Sequence, residues 1–283
     1  MNKTENYRFK EKIFQICAIT FLSILAFAQV FPFYLKLVDS LHGTYFIPEY
    51  DKLYLLPRYI TLKNYWYAIQ KGGLLKGLLN SLIHTISFTF ISLVIALVVG
   101  YVLGKMKFRG KKIVIILLLS TMMIPGEILM IPNYLLVLKL GWNLNLLGII
   151  LPGIVNVFGI FLINQYMSTI PDAILESAEI DGCNEIQKIF KIVLPMSRPI
   201  IITYIILTFT ATWNEYLWPM IILKDPSLFT LQLTMYQFYP KFGGYADGFI
   251  RSAGMLLITI PIIVMYILFQ KYFLEQANIS GMK

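Results

Sequence analysis

The sequence predicts an all-α membrane protein with six transmembrane helices and a polar helix pair between the fourth and fifth of them. The chain has 283 residues, 58% of them hydrophobic and 14% charged, and its mean hydropathy is +0.70. Soluble domains carry about 25% charged residues, so this composition indicates a bilayer environment. A helix needs about 20 apolar residues to span the hydrocarbon core. The segments that meet this length are residues 13–35, 77–104, 113–131, 146–166, 199–222 and 251–270.

The predicted spans differ in the polar groups they carry. The first, second and fourth spans contain no charged residue, whereas the third and fifth each hold one acid, Glu127 and Glu215. Pro125 and Gly126 interrupt the third span. Proline removes a backbone donor and kinks a membrane helix, so neighbouring groups must satisfy the freed carbonyls. Such a break is typical both of a helix that lines a pathway and of one that is shaped for packing.

Positive residues orient the spans, because cytoplasmic loops carry an excess of Lys and Arg. Five positive charges lie within 105–112 and four within 1–12, so these segments, 167–198 and the C-terminus are expected in the cytoplasm. The outer 36–76 segment holds six Lys or Arg, but it is long and its charge density is low. The concentration of Lys and Arg in the expected cytoplasmic segments explains the net charge of +9 better than nucleic-acid binding does. The predicted divisions are an N-terminal tail at 1–12, a transmembrane domain at 13–273 and a C-terminal tail at 274–283.

The 167–198 segment has the pattern of two helices joined by a glycine turn. Pro171 suits the first turn of a helix, and Gly182 lets the chain leave that helix in a left-handed conformation. A second helix can begin at Asn184, with Gln187 placed to complete a capping-box-like pair. Helical spacing then predicts a single apolar stripe. Its members are Ile186, Ile189, Phe190 and Val193.

The first helix of this pair is acidic, since it carries Asp172, Glu176, Glu179 and Asp181. Carboxylates near its beginning suit the positive end of the helix dipole. A helix that is anchored on lipid favours a Lys/Arg face instead, and an anionic leaflet repels carboxylates. The acidic first helix therefore fits docking into a socket on a partner protein better than it fits the alternative, a plain interfacial helix on lipid.

The same segment resembles the EAA loop of permease subunits in ATP-binding-cassette importers. That pattern opens with Glu-Ala-Ala, continues through Asp-Gly and closes with Ile-x-Leu-Pro, and this chain departs from it at Ser177 and Glu179. Cys183 stands where the family usually has Ala after the glycine, which exchanges one small residue for another. The resemblance implies ATPase coupling by Glu176, Ser177, Ala178, Asp181, Gly182, Leu194 and Pro195.

The resemblance covers most of the chain and points to the carbohydrate-uptake branch, of the maltose or glycerol-3-phosphate type. It implies a permease subunit that forms half of the pathway of an ATP-driven, binding-protein-dependent sugar importer in the bacterial cytoplasmic membrane, with both termini cytoplasmic. The implied partners are a second permease subunit, an ATPase dimer that uses ATP and Mg, and an extracellular solute-binding protein. The supporting stretches are 80–93, 101–112, 122–152, 212–223 and 271–283.

The sequence carries no motif for catalysis. It has no Gly-x-x-x-x-Gly-Lys-Ser/Thr phosphate loop and no His-Glu-x-x-His zinc motif. Its two cysteines, Cys17 and Cys183, do not have zinc-site spacing. The chain is therefore expected to be a transport subunit rather than an enzyme, and to bind no cofactor or metal itself.

Polar residues within the spans are the candidates for the translocation pathway. A carboxylate in the bilayer core needs a partner, a cavity or a surface position. A tryptophan can stack on a sugar ring, and neighbouring amide and carboxylate groups can bind its hydroxyls. The alternative for the tryptophan is an interfacial belt with Tyr216 and Trp218. The candidate pathway residues are Glu127, Asn156, Trp213, Asn214 and Glu215.

The competing function is a self-sufficient secondary carrier or channel for a small solute. A carrier is expected to show internal repeats, paired broken helices and intramembrane charge for ion coupling. The sequence shows one evident helix break, two intramembrane acids and no repeat. It therefore favours the importer permease, and it leaves the particular sugar open.

Overall fold

The computed structural model describes residues 3–43, 46–47, 49, 52–71, 73–238 and 245–280, and throughout these ranges the secondary structure is helical without strands. The α-helices are α1 Lys3–Ser40, α2 Lys63–Lys71, α3 Leu74–Lys105, α4 Lys111–Thr121, α5 Met130–Lys139, α6 Leu147–Ile150, α7 Val157–Met167, α8 Asp172–Ile180, α9 Glu185–Lys188, α10 Leu194–Met196, α11 Arg198–Asn214, α12 Leu217–Ile222, α13 Leu231–Phe238 and α14 Tyr245–Ser280. Short 3₁₀ segments lie at Gly126–Leu129, Trp142–Leu144 and Pro226–Leu228, and a π-helical segment lies at Ile189–Val193.

The chain divides into two compact units. The first comprises Met1–Leu74 and Gln237–Thr259, and the second comprises Leu75–Tyr236 and Ile260–Lys283. The predicted tails at 1–12 and 274–283 fall within α1 and α14 where they are described, and residues 1–2 and 281–283 lie outside the described part.

Three of the described helices are long and apolar enough to cross a membrane by themselves. They contain Glu11–Ser40, Leu74–Lys105 and Gly248–Tyr272, and they coincide with the first, second and sixth predicted spans. The all-helical membrane fold is thus confirmed in its outline. The count rises to five where each of two bent helix pairs is taken as one span, and six spans stay a prediction.

The other three predicted spans are all broken, although the sequence indicated only one break. The third bends by 88° between α4 and the segment that begins at Gly126. The fourth is divided between α6 and α7, where Pro152 precedes Gly153 in a left-handed conformation with φ of 82°. The fifth is divided after Asn214, where Glu215 is extended before α12 begins. The expectation of continuous fourth and fifth helices was wrong, because these short polar or Pro-Gly interruptions end a helix.

Glycines allow three helices of the second unit to approach closely. A Cβ on Gly104 of α3 would lie 2.4 Å from Met167 Cβ of α7, and one on Gly100 would lie 2.8 Å from Ile163 Cγ2. Small residues four apart let helix backbones approach in this way in membranes. On its other side, α7 packs against α11. A Cβ on Gly159 of α7 would lie 2.0 Å from Tyr204 Cε2 of α11. This packing holds α7 between α3 and α11, just before the chain enters the 167–198 segment.

In the first unit, a buried histidine organises the segment after α1. His42 is 1% exposed, and its ring stacks on Phe46 with centroids 4.5 Å apart. Its Nδ1 accepts the Arg58 N–H at 3.0 Å, and burial lowers the pKa of His42, which favours this neutral acceptor form. Asn64 Nδ2 donates to the Ser40 and His42 carbonyls at 2.9 and 2.8 Å. Part of the 36–76 segment is therefore a packed structure rather than a simple connector.

Candidate functional site

The first helix of the predicted pair forms as α8, Asp172–Ile180, with Pro171 immediately before it as the N-cap residue. Leu175 and Ala178 are buried, whereas Glu176 and Ser177 are exposed. The Ser177 hydroxyl donates to the Ala173 carbonyl at 2.8 Å, so it is bonded within its own helix. One face of α8 thus packs inward, and the other presents the acidic residues of the motif outward.

The turn after α8 has the conformation that the sequence predicts. Gly182 has φ of 80°, in the left-handed region, and Asp181 is the C-cap residue. The Cys183 N–H donates to the Ala178 carbonyl at 2.9 Å, and the Gly182 N–H donates to the Glu179 carbonyl at 3.0 Å. These are the two bonds of a Schellman motif, which satisfies the last carbonyls of a helix. The glycine turn is therefore confirmed in its geometry.

The second helix begins with a complete capping box. The Asn184 side chain accepts the Gln187 N–H at 2.9 Å, and the Gln187 side chain accepts the Asn184 N–H at 3.0 Å. This start is confirmed as predicted. Farther on, the helix becomes π-helical at Ile189–Val193, and then α10 carries Leu194 and Pro195. Leu194 is half-buried and Pro195 is exposed.

The π-helical turn divides the apolar stripe that the spacing predicts. Ile189 is 7% exposed and Val193 is fully buried, whereas Ile186 and Phe190 are 67% and 61% exposed. A π-helix closes its hydrogen bonds over five residues instead of four and so changes which side chains share a face. The predicted apolar stripe is thus divided into two buried and two exposed residues. Ile180, at the end of α8, is 88% exposed. We call Ile180, Ile186 and Phe190 the exposed apolar residues of the loop.

A buried lysine joins the two helices of the pair. Lys188 Nζ lies 2.9 Å from Glu179 Oε2 on α8 and 2.8 Å from Glu185 Oε1 on α9. The Lys188 side chain is only 5% exposed. The Tyr101 hydroxyl of α3 donates to Glu185 Oε2 at 2.7 Å. These four residues form what we call the Lys188 network, and it contains a group from each of α3, α8 and α9.

A second contact fixes the start of α8 to the end of α3. Lys105 Nζ donates to Asp172 Oδ1 at 2.6 Å and also to the Ile170 carbonyl. The bond from Lys105, with its charge, lowers the pKa of Asp172. Sequence reasoning did not predict these contacts of Tyr101, Lys105 and Lys188. The Glu185–Lys188 spacing of three residues was the only local signal, because the partners on α3 are far away in sequence.

The candidate pathway residues occupy two different environments. Glu127 and Glu215 are exposed at the breaks of the third and fifth predicted spans, and Asn214 is exposed beside Glu215. Asn156 instead caps α7, where its side chain accepts the Gly159 N–H at 3.0 Å. Trp213 is 1% exposed and stacks on Phe209 with centroids 5.9 Å apart. Asn156 and Trp213 thus have structural partners within the chain, and all five residues stay predictions for the pathway.

Apolar membrane helices with a capped, partly exposed helix pair between them are the architecture of a membrane transport subunit. The chain belongs to the family of inner membrane components of binding-protein-dependent transport systems, whose family model matches residues 96–277. This range includes α8, the glycine turn and the second helix. The resemblance to importer permeases in the sequence is therefore confirmed.

Three known relatives match between 56% and 96% of the chain. The arabinooligosaccharides transport system permease protein AraQ of Bacillus subtilis (strain 168) is 30% identical over 273 residues, 96% of each chain. The sn-glycerol-3-phosphate transport system permease protein UgpE of Yersinia pestis bv. Antiqua (strain Antiqua) is 32% identical over 163 residues, 56% of this chain and 57% of its own. A chain in the crystal structure of a bacterial transporter that imports the acidic polysaccharide alginate matches with a TM-score of 0.85 and 25% identity, covering 93% of this chain and 98% of that one.

Proposed function

We propose that this chain is the permease subunit of an ATP-driven, binding-protein-dependent importer of carbohydrate. It forms half of the translocation pathway with a second permease subunit. Separate ATPase subunits hydrolyse ATP with Mg, and an extracellular solute-binding protein delivers the substrate. The chain lies in the bacterial cytoplasmic membrane with both termini and the 167–198 segment on the cytoplasmic side.

The surface of the helix pair carries this proposal. Its two helices are fixed by a Schellman turn and a capping box, so the pair has a definite shape. The pair nevertheless exposes large apolar side chains, among them Ile180, Ile186 and Phe190 at 88%, 67% and 61%. Exposed apolar groups on an ordered element are typical of a protein contact. Exposed Glu176 and the other carboxylates of α8 suit a basic rim around an apolar socket.

The helix breaks support a pathway in the second unit. Irregular backbone at membrane depth is tolerated where it is buried in protein or lines a water-filled cavity. Exposed Glu127, Asn214 and Glu215 lie at such breaks, where hydroxyl-rich substrates can exchange hydrogen bonds with them. Broken helices are also typical of secondary carriers. Membership of the transport-system family, however, favours the importer over the self-sufficient carrier or channel.

The relatives support carbohydrate as the substrate class. AraQ belongs to a transport system for arabinooligosaccharides, and the matched crystal structure is of an alginate importer. Both substrates are built of linked sugar units. We therefore propose an oligosaccharide as the first substrate to test.

Co-purification with the ATPase tests the proposal. Phe190→Asp places a carboxylate among the exposed apolar residues of the loop and is expected to abolish co-purification of the ATPase with the permease. Phe108→Asp is the matched control, because Phe108 is also exposed, at 41%, but lies in the basic turn before α4. Retention of the ATPase by Phe190→Asp, at wild-type yield, contradicts docking through this surface.

A further inference from the structure

The Lys188 network has an unusual distribution of exposure. The cation is 5% exposed, whereas the side chains of Glu179 and Glu185 are 73% and 47% exposed. A buried cation is costly unless it is paired, and removing its partners leaves an uncompensated charge. Lys188 therefore holds both carboxylates in place, although each of them is largely solvated and would otherwise be mobile.

The network also bridges the turn between the two helices of the pair. The bonds of the Schellman turn end at Cys183 and the capping box begins at Asn184, so neither set joins α8 directly to α9. Lys188 reaches back across the turn to Glu179 at 2.9 Å. Tyr101 then connects the same network to α3 at 2.7 Å from Glu185. The angle between α8 and α9 and their attachment to α3 thus depend on one set of charges.

A second attachment lies at the opposite end of α8, where Lys105 binds Asp172 at 2.6 Å. Tyr101 and Lys105 are four residues apart and therefore lie on neighbouring turns of one face of α3. Two attachment points on one helix resist rotation as well as separation. The same part of α3 packs through Gly100 and Gly104 against α7.

We propose that Tyr101, Lys105 and Lys188 are positioning residues that make the helix pair and the end of α3 move as one rigid body during the transport cycle. The inference rests on the proposed function, since it assumes that an ATPase docks on the pair. It adds the route by which movement of the docked helix pair reaches the transmembrane helices. Displacement of the docked pair passes directly to a transmembrane helix through hydrogen bonds and ion pairs, and through α3 to the closely packed α7.

The first experiment removes a single hydroxyl from the reconstituted complex of both permeases and the ATPase. Tyr101→Phe is expected to preserve ATPase co-purification and basal hydrolysis, but to lower stimulation by loaded binding protein about tenfold, since a hydrogen bond to a charged group is lost. Tyr166→Phe is the matched control, because its hydroxyl donates to the Met196 carbonyl at 3.1 Å outside the network. Wild-type stimulation in Tyr101→Phe overturns the proposal. So does an equal loss in Tyr166→Phe, or a loss that follows only from lower complex yield.

The second experiment tests rigidity itself. Lys105→Cys and Asp172→Cys are combined in a chain whose Cys17 and Cys183 are replaced by serine, and the pair is joined with a short bifunctional methanethiosulfonate, which links the two thiols through reducible disulfides. Uptake by the cross-linked complex is expected to be no lower than that of the same variant after reduction, because the two sites do not separate during the cycle and the link replaces the lost Lys105–Asp172 contact. Loss of uptake on cross-linking, with recovery on reduction, overturns the proposal.

The outcomes separate this inference from the proposed function. If the wild-type permease does not bind an ATPase or stimulate it, the proposed function fails. If the wild type couples normally but Tyr101→Phe couples equally well, only the assignment of the positioning residues fails.

Discussion

Substitution of Gly182 is the most direct way to perturb the helix pair. The backbone of Gly182 has φ of 80°, and a Cβ there would meet no atom within 4 Å. A larger side chain at this position therefore costs free energy through backbone conformation and not through a clash. For an L-residue the left-handed conformation costs about 1–2 kcal/mol, and least for Asn or Asp. A β-branched residue lies at the upper end of this range or above it.

This cost is comparable to the energy of the two hydrogen bonds that close the turn. Each such bond contributes about 0.5–1.5 kcal/mol. Gly182→Val is therefore expected to open the turn in a large fraction of molecules and to misdirect α9. Gly182→Asn is expected to keep most of the turn, because Asn tolerates this conformation.

Stimulated hydrolysis is the assay, measured on the complex in proteoliposomes with and without loaded binding protein. Gly182→Val should lower stimulation about thirtyfold, in line with a cost of about 2 kcal/mol, and Gly182→Asn should lower it about two- to threefold or less. Gly141→Val is the matched control, since Gly141 has φ of 68° and also nothing within 4 Å, but lies outside the helix pair. Equal stimulation in Gly182→Val and wild type, at equal complex yield, would refute the reasoning.

Three further predictions concern topology, the pathway and packing. Ser177→Cys, in a chain without Cys17 and Cys183, should react with an impermeant thiol reagent only after cells are opened, and labelling in intact cells contradicts the cytoplasmic placement. Asn214→Ala should lower uptake severalfold while the ATPase still co-purifies, and unchanged uptake would remove this residue from the pathway. Gly104→Ala should destabilise the protein by about 1–3 kcal/mol through overpacking against Met167. Gly126→Ala, where a Cβ meets nothing within 4 Å, is its control in thermal unfolding, and equal melting temperatures would contradict the packing.

The local features of the helix pair were predictable from sequence because each is encoded within a few residues. A glycine at the end of α8 and the Asn184–Gln187 spacing specify a turn and a cap whose bonds stay within the loop. The first, second and sixth spans were predictable for a similar reason, since a long uncharged or nearly uncharged run has few other stable states in a membrane.

Features that depend on distant residues were not predictable in the same way. Nothing near Tyr101 indicates that its partner is Glu185, and burial of Lys188 follows from how α8 and α9 fold together. The break after Asn214 was missed because Asn214 and Glu215 are only two polar residues between apolar runs that together are long enough for one span. The division of the apolar stripe was missed because a π-helical turn has no marked sequence signature.

Uptake by defined vesicles tests the central claim most directly. The chain is reconstituted alone, with the second permease, and with the second permease and the ATPase, and labelled oligosaccharide uptake is measured with binding protein outside and ATP inside or absent. Uptake is expected only when the ATPase and ATP are both present. Substantial uptake by the chain alone, driven by an ion gradient, would contradict this expectation.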